Sequence, residues 1–268
     1  MFAYAQSAGE LLARVRETKP IVHSITNYVV MNSTANVLLA MGASPIMAHA
    51  PEEMEDIVRI ANSVVINIGT LSTPWIESMM LASRLALAGG KPLVLDPVGA
   101  GASALRSSTA QTLLLSSRPT VVRGNASEIL ALSPVGGMTR GVDSIHSMDD
   151  AQDAAKKIAS AQGTVVAVTG ERDLVTDGTR SLVVTGGHPL LAYVTGTGCA
   201  ASVVVGAFLA VGTDPVLSTA AGLAFFGLAG ERAAKETAAP GSFWTGVLDA
   251  LYSITPDELA ASARIQET

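Results

Sequence analysis

Apolar residues fall in short runs along the first two-thirds of the chain, and longer stretches of helical character separate them. The runs Ile21–Ser24, Ser44–Met47, Ser63–Asn67, Leu93–Asp96, Thr120–Arg123 and Thr164–Val168 are short and mostly rich in Val or Ile, which predicts buried strands. The segments between them carry helix signals. Ser7 with Glu10 has the spacing of a capping box. Pro51 with Glu52 and Glu53 suits a first turn, through the fixed φ of proline and the helix dipole. Thr73-Pro74 opens a helix running to about Ala88, which Gly89-Gly90 ends. Strands that alternate with helices predict βαβ units and a largely parallel sheet covered on both faces. Right-handed crossovers then gather the strand C-termini on one edge, where ligands bind.

Beyond Leu174 the rhythm changes. Leu174–Thr176 and Ser181–Thr185, split by Asp177-Gly178, predict a hairpin. Helices follow over Ala200–Val211, Val216–Thr237 and Ser242–Tyr252, and a last one starts at Thr255, where Thr255, Pro256 and Glu258 supply cap, first position and capping-box acid. With no linker, repeat or low-complexity block, the expectation is one α/β domain over 1–268, a three-layer α/β/α arrangement.

Composition narrows the function classes. Hydrophobic residues make up 49% and aromatics only 4%, so Ala, Val and Leu build a closely packed core and disorder is excluded. Charged residues are 15%, against about 25% in a typical domain, and mean hydropathy is +0.40. So little polar side chain favours a homo-oligomer that hides part of its surface. A net charge of −6 without a basic run argues against nucleic acid. The most lipid-like stretch, Cys199–Gly212, is shorter than the roughly 20 residues of a membrane span, and predicts a buried helix and no membrane partner. One cysteine and no apolar signal core in Met1–Lys19 fit a cytoplasmic protein. His23, His49, His146 and His188 lack zinc-site spacing.

Five segments have the makings of a site. In Val194-Thr195-Gly196-Thr197-Gly198-Cys199, two alternate glycines before an apolar helix let backbone N–H groups turn inward to form an anion hole, and Cys199 falls in the first turn, where the dipole lowers a thiol pKa. Such turns also serve packing alone. Asp96, in Leu95-Asp96-Pro97-Val98-Gly99-Ala100-Gly101, ends a predicted strand, where a carboxylate points into the ligand crevice or caps a turn. In Arg123-Gly124-Asn125-Ala126-Ser127-Glu128, a capping box accounts for Asn125 and Glu128 but not for an arginine at a strand end. Glu128 with Asp96 suits a hydrated Mg²⁺. Thr169, at another strand end, suits a phosphate or a turn. His23–Asn32 mixes polar, aromatic and apolar side chains, which fits a small partly aromatic ligand, with Met47 as either a ring contact or ordinary core. Cradle, metal carboxylates and charge clamp on one edge make a phosphoryl-transfer kit. The P-loop signature is absent.

The segments Asp96-Pro97-Val98-Gly99-Ala100, Asn125-Ala126-Ser127-Glu128 and Gly196-Thr197-Gly198-Cys199 resemble the ribokinase-like superfamily. His23–Asn32 together with Cys199 resembles the hydroxyethylthiazole kinase family within it, from about Leu11 to Ser253. The resemblance implies a ribokinase-like fold and ATP-dependent phosphorylation of the primary alcohol of 4-methyl-5-(2-hydroxyethyl)thiazole in thiamine salvage. It implies a homotrimer with interfacial sites. It assigns Asn27, Val29, Met47 and Gly196 to the thiazole, Arg123 and Thr169 to ATP phosphates, Asp96 and Glu128 to Mg²⁺, and the Gly196, Thr197 and Gly198 backbone to the anion hole. Most ribokinase-like sugar kinases carry a basic Asp where Cys199 stands, so the catalytic role of Cys199 is open. The alternatives are a ribokinase-like dehydratase of hydrated NAD(P)H, a hydroxymethylpyrimidine kinase, a thiol acyltransferase using Cys199 and a non-catalytic binder.

Overall fold

A computed structural model describes residues 2–133 and 148–268; His146 lies outside the described residues. In chain order the elements are α1 (Phe2–Thr18), β1 (Ile21–Ile25), α2 (Met31–Met41), β2 (Ser44–Ile46), α3 (Met54–Ile60), β3 (Ser63–Asn67), α4 (Thr73–Ala88), β4 (Leu93–Asp96), α5 (Ala104–Ser117), β5 (Val121–Asn125) and α6 (Ala126–Leu132). There follow α7 (Met148–Gln162), β6 (Val165–Thr169), β7 (Arg172–Thr176), β8 (Ser181–Thr185), α8 (Thr197–Leu209), α9 (Pro215–Glu236), α10 (Pro240–Ser253), α11 (Pro256–Ser262) and β9 (Ile265–Glu267). Short 3₁₀ turns at Pro51–Glu53 and Pro189–Tyr193 precede α3 and α8.

The strands form one sheet in the order β2-β1-β3-β4-β5-β6-β7-β8-β9. Pairing is parallel from β2 through β6 and antiparallel from β6 to β9. The strand order reverses at β1, which has β2 on one side and β3 on the other. A crevice opens at the C-terminal ends of strands where the order reverses in this way.

Strand residues alternate between two apolar layers. Val65, Val94, Val121, Val165 and Ala167 face the layer of α1, α2, α8, α9 and α10, whereas Val64, Ile66, Leu95, Val122 and Val166 face the layer of α3 to α7. The protein is therefore a three-layer α/β/α structure. The predicted Cys199–Gly212 helix is α8, buried at every position from Cys199 to Leu209. Among the described residues no helix is long and apolar enough to cross a membrane.

Three local expectations need correction. Ser7 and Glu10 do not cap a helix, because α1 starts at Phe2 and both lie inside it. The apolar series Ala5, Ala8, Leu11, Leu12 and Val15 carries the helical face back past the box. Pro51–Glu53 forms a 3₁₀ turn before α3 in place of the first α turn. Strand β9 was not expected; three residues are too few for a pattern, and pairing with β8 creates it. The Asn125–Glu128 and Thr255–Glu258 capping boxes both form.

Candidate active site

The two-residue period of the strands decides which polar groups meet. Asn67, Asp96, Arg123 and Thr169 lie two residues beyond Val65, Val94, Val121 and Ala167, so all four side chains fall on the α8 face. Asn67 and Asp96 are register partners on β3 and β4. The N-terminus of α8 comes down over them.

Asp96 is fully buried. Its Oδ2 accepts hydrogen bonds from Asn67 Nδ2 at 2.8 Å and Ser202 Oγ at 2.8 Å. Its Oδ1 has no hydrogen-bond partner and lies 3.9 Å from Arg123 Nη1. Burial pushes the carboxyl up to about 6, against the pull of Arg123, and the nearby Glu128 pushes the same way as burial. Arg123 Nη2 donates to Thr169 Oγ1 at 2.5 Å, while its Nε has no partner. Thr169, expected at a phosphate, thus also fixes the guanidinium.

Two glycines admit the helix end to this cluster. Gly196 has φ +83°, and a Cβ there would stand 2.3 Å from Val30 Cγ1. A Cβ on Gly198 would stand 2.8 Å from Arg123 Nη1. The backbone of the first turn thus reaches the guanidinium. No side chain caps this end of α8, and its leading N–H groups have no intrahelical acceptors. Thr197 contributes backbone only, since its hydroxyl donates back to Leu191 O at 2.9 Å.

Cys199 is buried, and its Sγ accepts from Asn27 Nδ2 at 3.6 Å. The expectation of an acidified thiol is overturned. Burial and the charge of Asp96 push it up to about 11, more than the hydrogen bonds of Asn67 and Asn27 pull it down. The thiol is neutral at physiological pH.

Glu128 is buried, and both its oxygens are in use: Oε2 accepts from Asn125 N at 2.8 Å and Oε1 from Gly99 N at 2.9 Å. Each keeps a lone pair for water. Among the described residues no group of three or more His, Cys, Asp or Glu is placed to hold a metal. The unpartnered Asp96 Oδ1 and the spare lone pairs of Glu128 fit a cation that takes few protein ligands and keeps its waters, which is the habit of Mg²⁺.

At the far side of the thiol, Asn27 follows β1 and is buried, with its Oδ1 accepting from Val29 N at 3.1 Å. Val29 itself is exposed, and Val30 is the side chain packed on Gly196. Met47 lies just past β2 at the same sheet edge, half-buried against the α8 layer. Trp75 meets the tilted rings of Tyr28 at 4.8 Å and of His49 at 4.1 Å, and its Nε1 donates to Thr26 O. Sequence reasoning passed over Asn67, Ser202 and Arg106. Asn67 closes its strand as Asp96 does, and Ser202 is a lone hydroxyl three residues beyond Cys199 on an apolar helix; both signals were available. Arg106 binds Ile68 O, Val98 O and Gly69 O and so braces the two loops beside the site, which no local pattern announces.

Residues 12–257 match the model of the hydroxyethylthiazole kinase family. The chain is 52% identical to a hydroxyethylthiazole kinase of Desulfotalea psychrophila over 98% of this chain and 96% of that one. It is 53% identical to one from Pyrococcus furiosus over 97% and 98%. The solved structure of hydroxyethylthiazole kinase from Pyrococcus horikoshii superposes with a TM-score of 0.90 at 46% identity, covering 98% of this chain and 99% of that chain. A pyridoxal kinase of Staphylococcus aureus, at 18% identity and a TM-score of 0.65 over 93% of this chain and 99% of that one, shares the ribokinase-like fold. The chain belongs to the hydroxyethylthiazole kinase family of enzymes.

Proposed function

We propose that this site transfers the terminal phosphoryl group of ATP to the primary hydroxyl of hydroxyethylthiazole, the salvage step that returns the thiazole to thiamine synthesis. The observation that carries the reading is the contact of Gly198 with Arg123, with Cys199 next in sequence and Asp96 tied to the same helix by Ser202. An anion cradle, a guanidinium and an acceptor-side thiol thus lie together toward the C-terminal ends of the parallel strands, between Asn27 beyond β1 and Thr169 at the end of β6.

In-line transfer forms a bond from the alcohol oxygen to the γ-phosphorus and breaks the bond to the β,γ-bridging oxygen. The transition state is loose, and its charge sits on the transferring group. The N–H groups of the Gly196–Cys199 turn and the guanidinium of Arg123 face that charge. Thr169 fixes the guanidinium by accepting from Nη2. Asp96 and Glu128 would hold Mg²⁺, which neutralises phosphate charge and fixes its orientation. The alcohol lies against Asn27, Val29, Met47 and Gly196. A neutral Cys199 orients the hydroxyl through a hydrogen bond. The hydroxyl proton passes to water after the new P–O bond has formed.

The assembly belongs to the same reading. Tyr28 (66% exposed), Val29 (64%) and Tyr193 (75%) are large apolar side chains on segments leading out of Asn27 and into Gly196. A homotrimer with its sites at the interfaces covers them. The Cys199 position favours this kinase over a hydrated-NAD(P)H dehydratase, whose relatives carry Asp there. An ADP-release assay with the thiazole alcohol, the pyrimidine alcohol and hydrated NADH tests the reading. Turnover with the thiazole alcohol alone is expected, and turnover confined to either other compound refutes it.

A further inference from the structure

One side chain touches both halves of the site. Asn67 Nδ2 donates to Asp96 Oδ2 at 2.8 Å, and its Oδ1 accepts from Asn27 Nδ2 at 2.8 Å and from Gly69 N at 3.0 Å. Its orientation has no freedom. A flipped amide would set NH₂ against two donors and a carbonyl against a carboxylate. Asn27 is fixed in turn, because its Oδ1 accepts from Val29 N and its Nδ2 must face Asn67. The remaining Nδ2 hydrogen points to Cys199 Sγ. The donors run in one direction, from the thiol's neighbour to the carboxylate, through side chains that are all buried. Gly69 makes room for this, since a Cβ there would stand 2.5 Å from Asn27 Nδ2.

We infer that Asn67 is a positioning residue for the alcohol: it aims the Asn27 amide at the acceptor side from a fixed point on the phosphate-side carboxylate. Asn67 need not touch either substrate. It makes the orientation of Asn27 depend on Asp96, so the acceptor hydroxyl and the phosphoryl cradle are aligned by one buried hydrogen-bond chain. The role rests on the kinase reading given above. Ser202 shares only the Asp96 end and has no contact with Asn27, which makes it the natural comparison.

The test is a double-mutant cycle of Asn67→Ala and Asn27→Ala, with Ser202→Ala alongside. A misplacement of about 1 Å in an aligned site costs on the order of 10²-fold in rate. We therefore expect N67A to lower kcat/KM for the alcohol by about 10²-fold, with its KM raised, and the ATP KM moved by less than about threefold. The double variant should raise the alcohol KM no further than N27A does, as required of residues acting through one another. S202A should lower kcat and leave the alcohol KM in place. A second measurement needs no turnover. Cys199 is the chain's one cysteine, so its S–H stretch is a single band. That band should shift in N67A as it does in N27A, shift no further in the double variant, and stay in place in S202A. Additive rises in the alcohol KM of a folded N67A/N27A protein, or an S–H band that is indifferent to Asn67 or still moved by N67A once Asn27 is gone, would overturn the inference. Should N67A not fold, Asn67→Leu removes the same polar atoms without leaving a cavity, and the same outcomes apply. A wild-type enzyme inactive on the alcohol would defeat the kinase reading, while the S–H comparison would still decide the role of Asn67.

Discussion

A thiol held at about 11 is a poor general base, and this limits what Cys199 contributes. General-base assistance typically supplies about 10²–10⁴-fold. Cys199→Ala should retain turnover, with a loss below about 10²-fold; a larger loss with both substrates still bound would show that the sulfur removes the proton. The pH profile of kcat/KM should agree. The buried Asp96 carboxyl protonates at about 6, and its protonated form no longer pulls on Asn67 or faces Arg123 as an anion. Activity should therefore fall about tenfold per unit as pH drops below about 6. No limb from the thiol should be seen until near its value of about 11. At the residue scale the sequence makes the strand-end positions of Asp96 and Thr169 legible, whereas Arg123, expected to close its strand, lies in the middle of β5, which runs on to Asn125. The sequence misleads on the acidity of Cys199. A position in a first helical turn predicts the dipole, whereas burial and the charge of Asp96 come from tertiary packing.

The helix α8 serves the site and the core with different glycines. At Gly198 the absent Cβ leaves room for Arg123 Nη1, and at Gly206 it leaves room for Val65 Cγ2, which a Cβ would approach to 2.7 Å. Alanine favours a helix over glycine by about 1 kcal/mol. Gly198→Ala should thus leave Tm unchanged or slightly raised, while kcat/KM falls by about 10²-fold or more as the guanidinium is displaced. Gly206→Ala should show the reverse. Overpacking against β3 costs about 1–3 kcal/mol, which lowers Tm by a few degrees, with KM values near wild type. Thermal melts and steady-state kinetics on the two variants check this; equal losses of activity would mean that the helix has no separate cradle and core ends. Elements with a full pattern, such as α4, α8 and the parallel strands, can be read from the chain. A cap motif is weaker evidence, since the Asn125 and Thr255 boxes form while the Ser7–Glu10 pair is overrun by the apolar face of α1.

At the scale of the molecule, the sparse charge seen in the composition reappears as large exposed apolar side chains beside the site. Sedimentation equilibrium should give three times the 27.4 kDa chain mass, and Val29→Lys should shift the protein toward monomer. A wild-type monomer with full activity would remove the interface from the account. The layered fold follows from the alternation of strands and helices. The meeting of Asn27, Asn67, Asp96, Arg123 and α8 depends on strand order, which adjacency in sequence does not give. The central claim is that these groups carry a phosphoryl unit from nucleotide to alcohol. Phosphorus NMR of the protein with ATP, Mg²⁺ and the thiazole alcohol tests it most directly: the account predicts a new phosphate-ester resonance matched one-for-one by ADP, and ADP formed with free phosphate and no ester would contradict it.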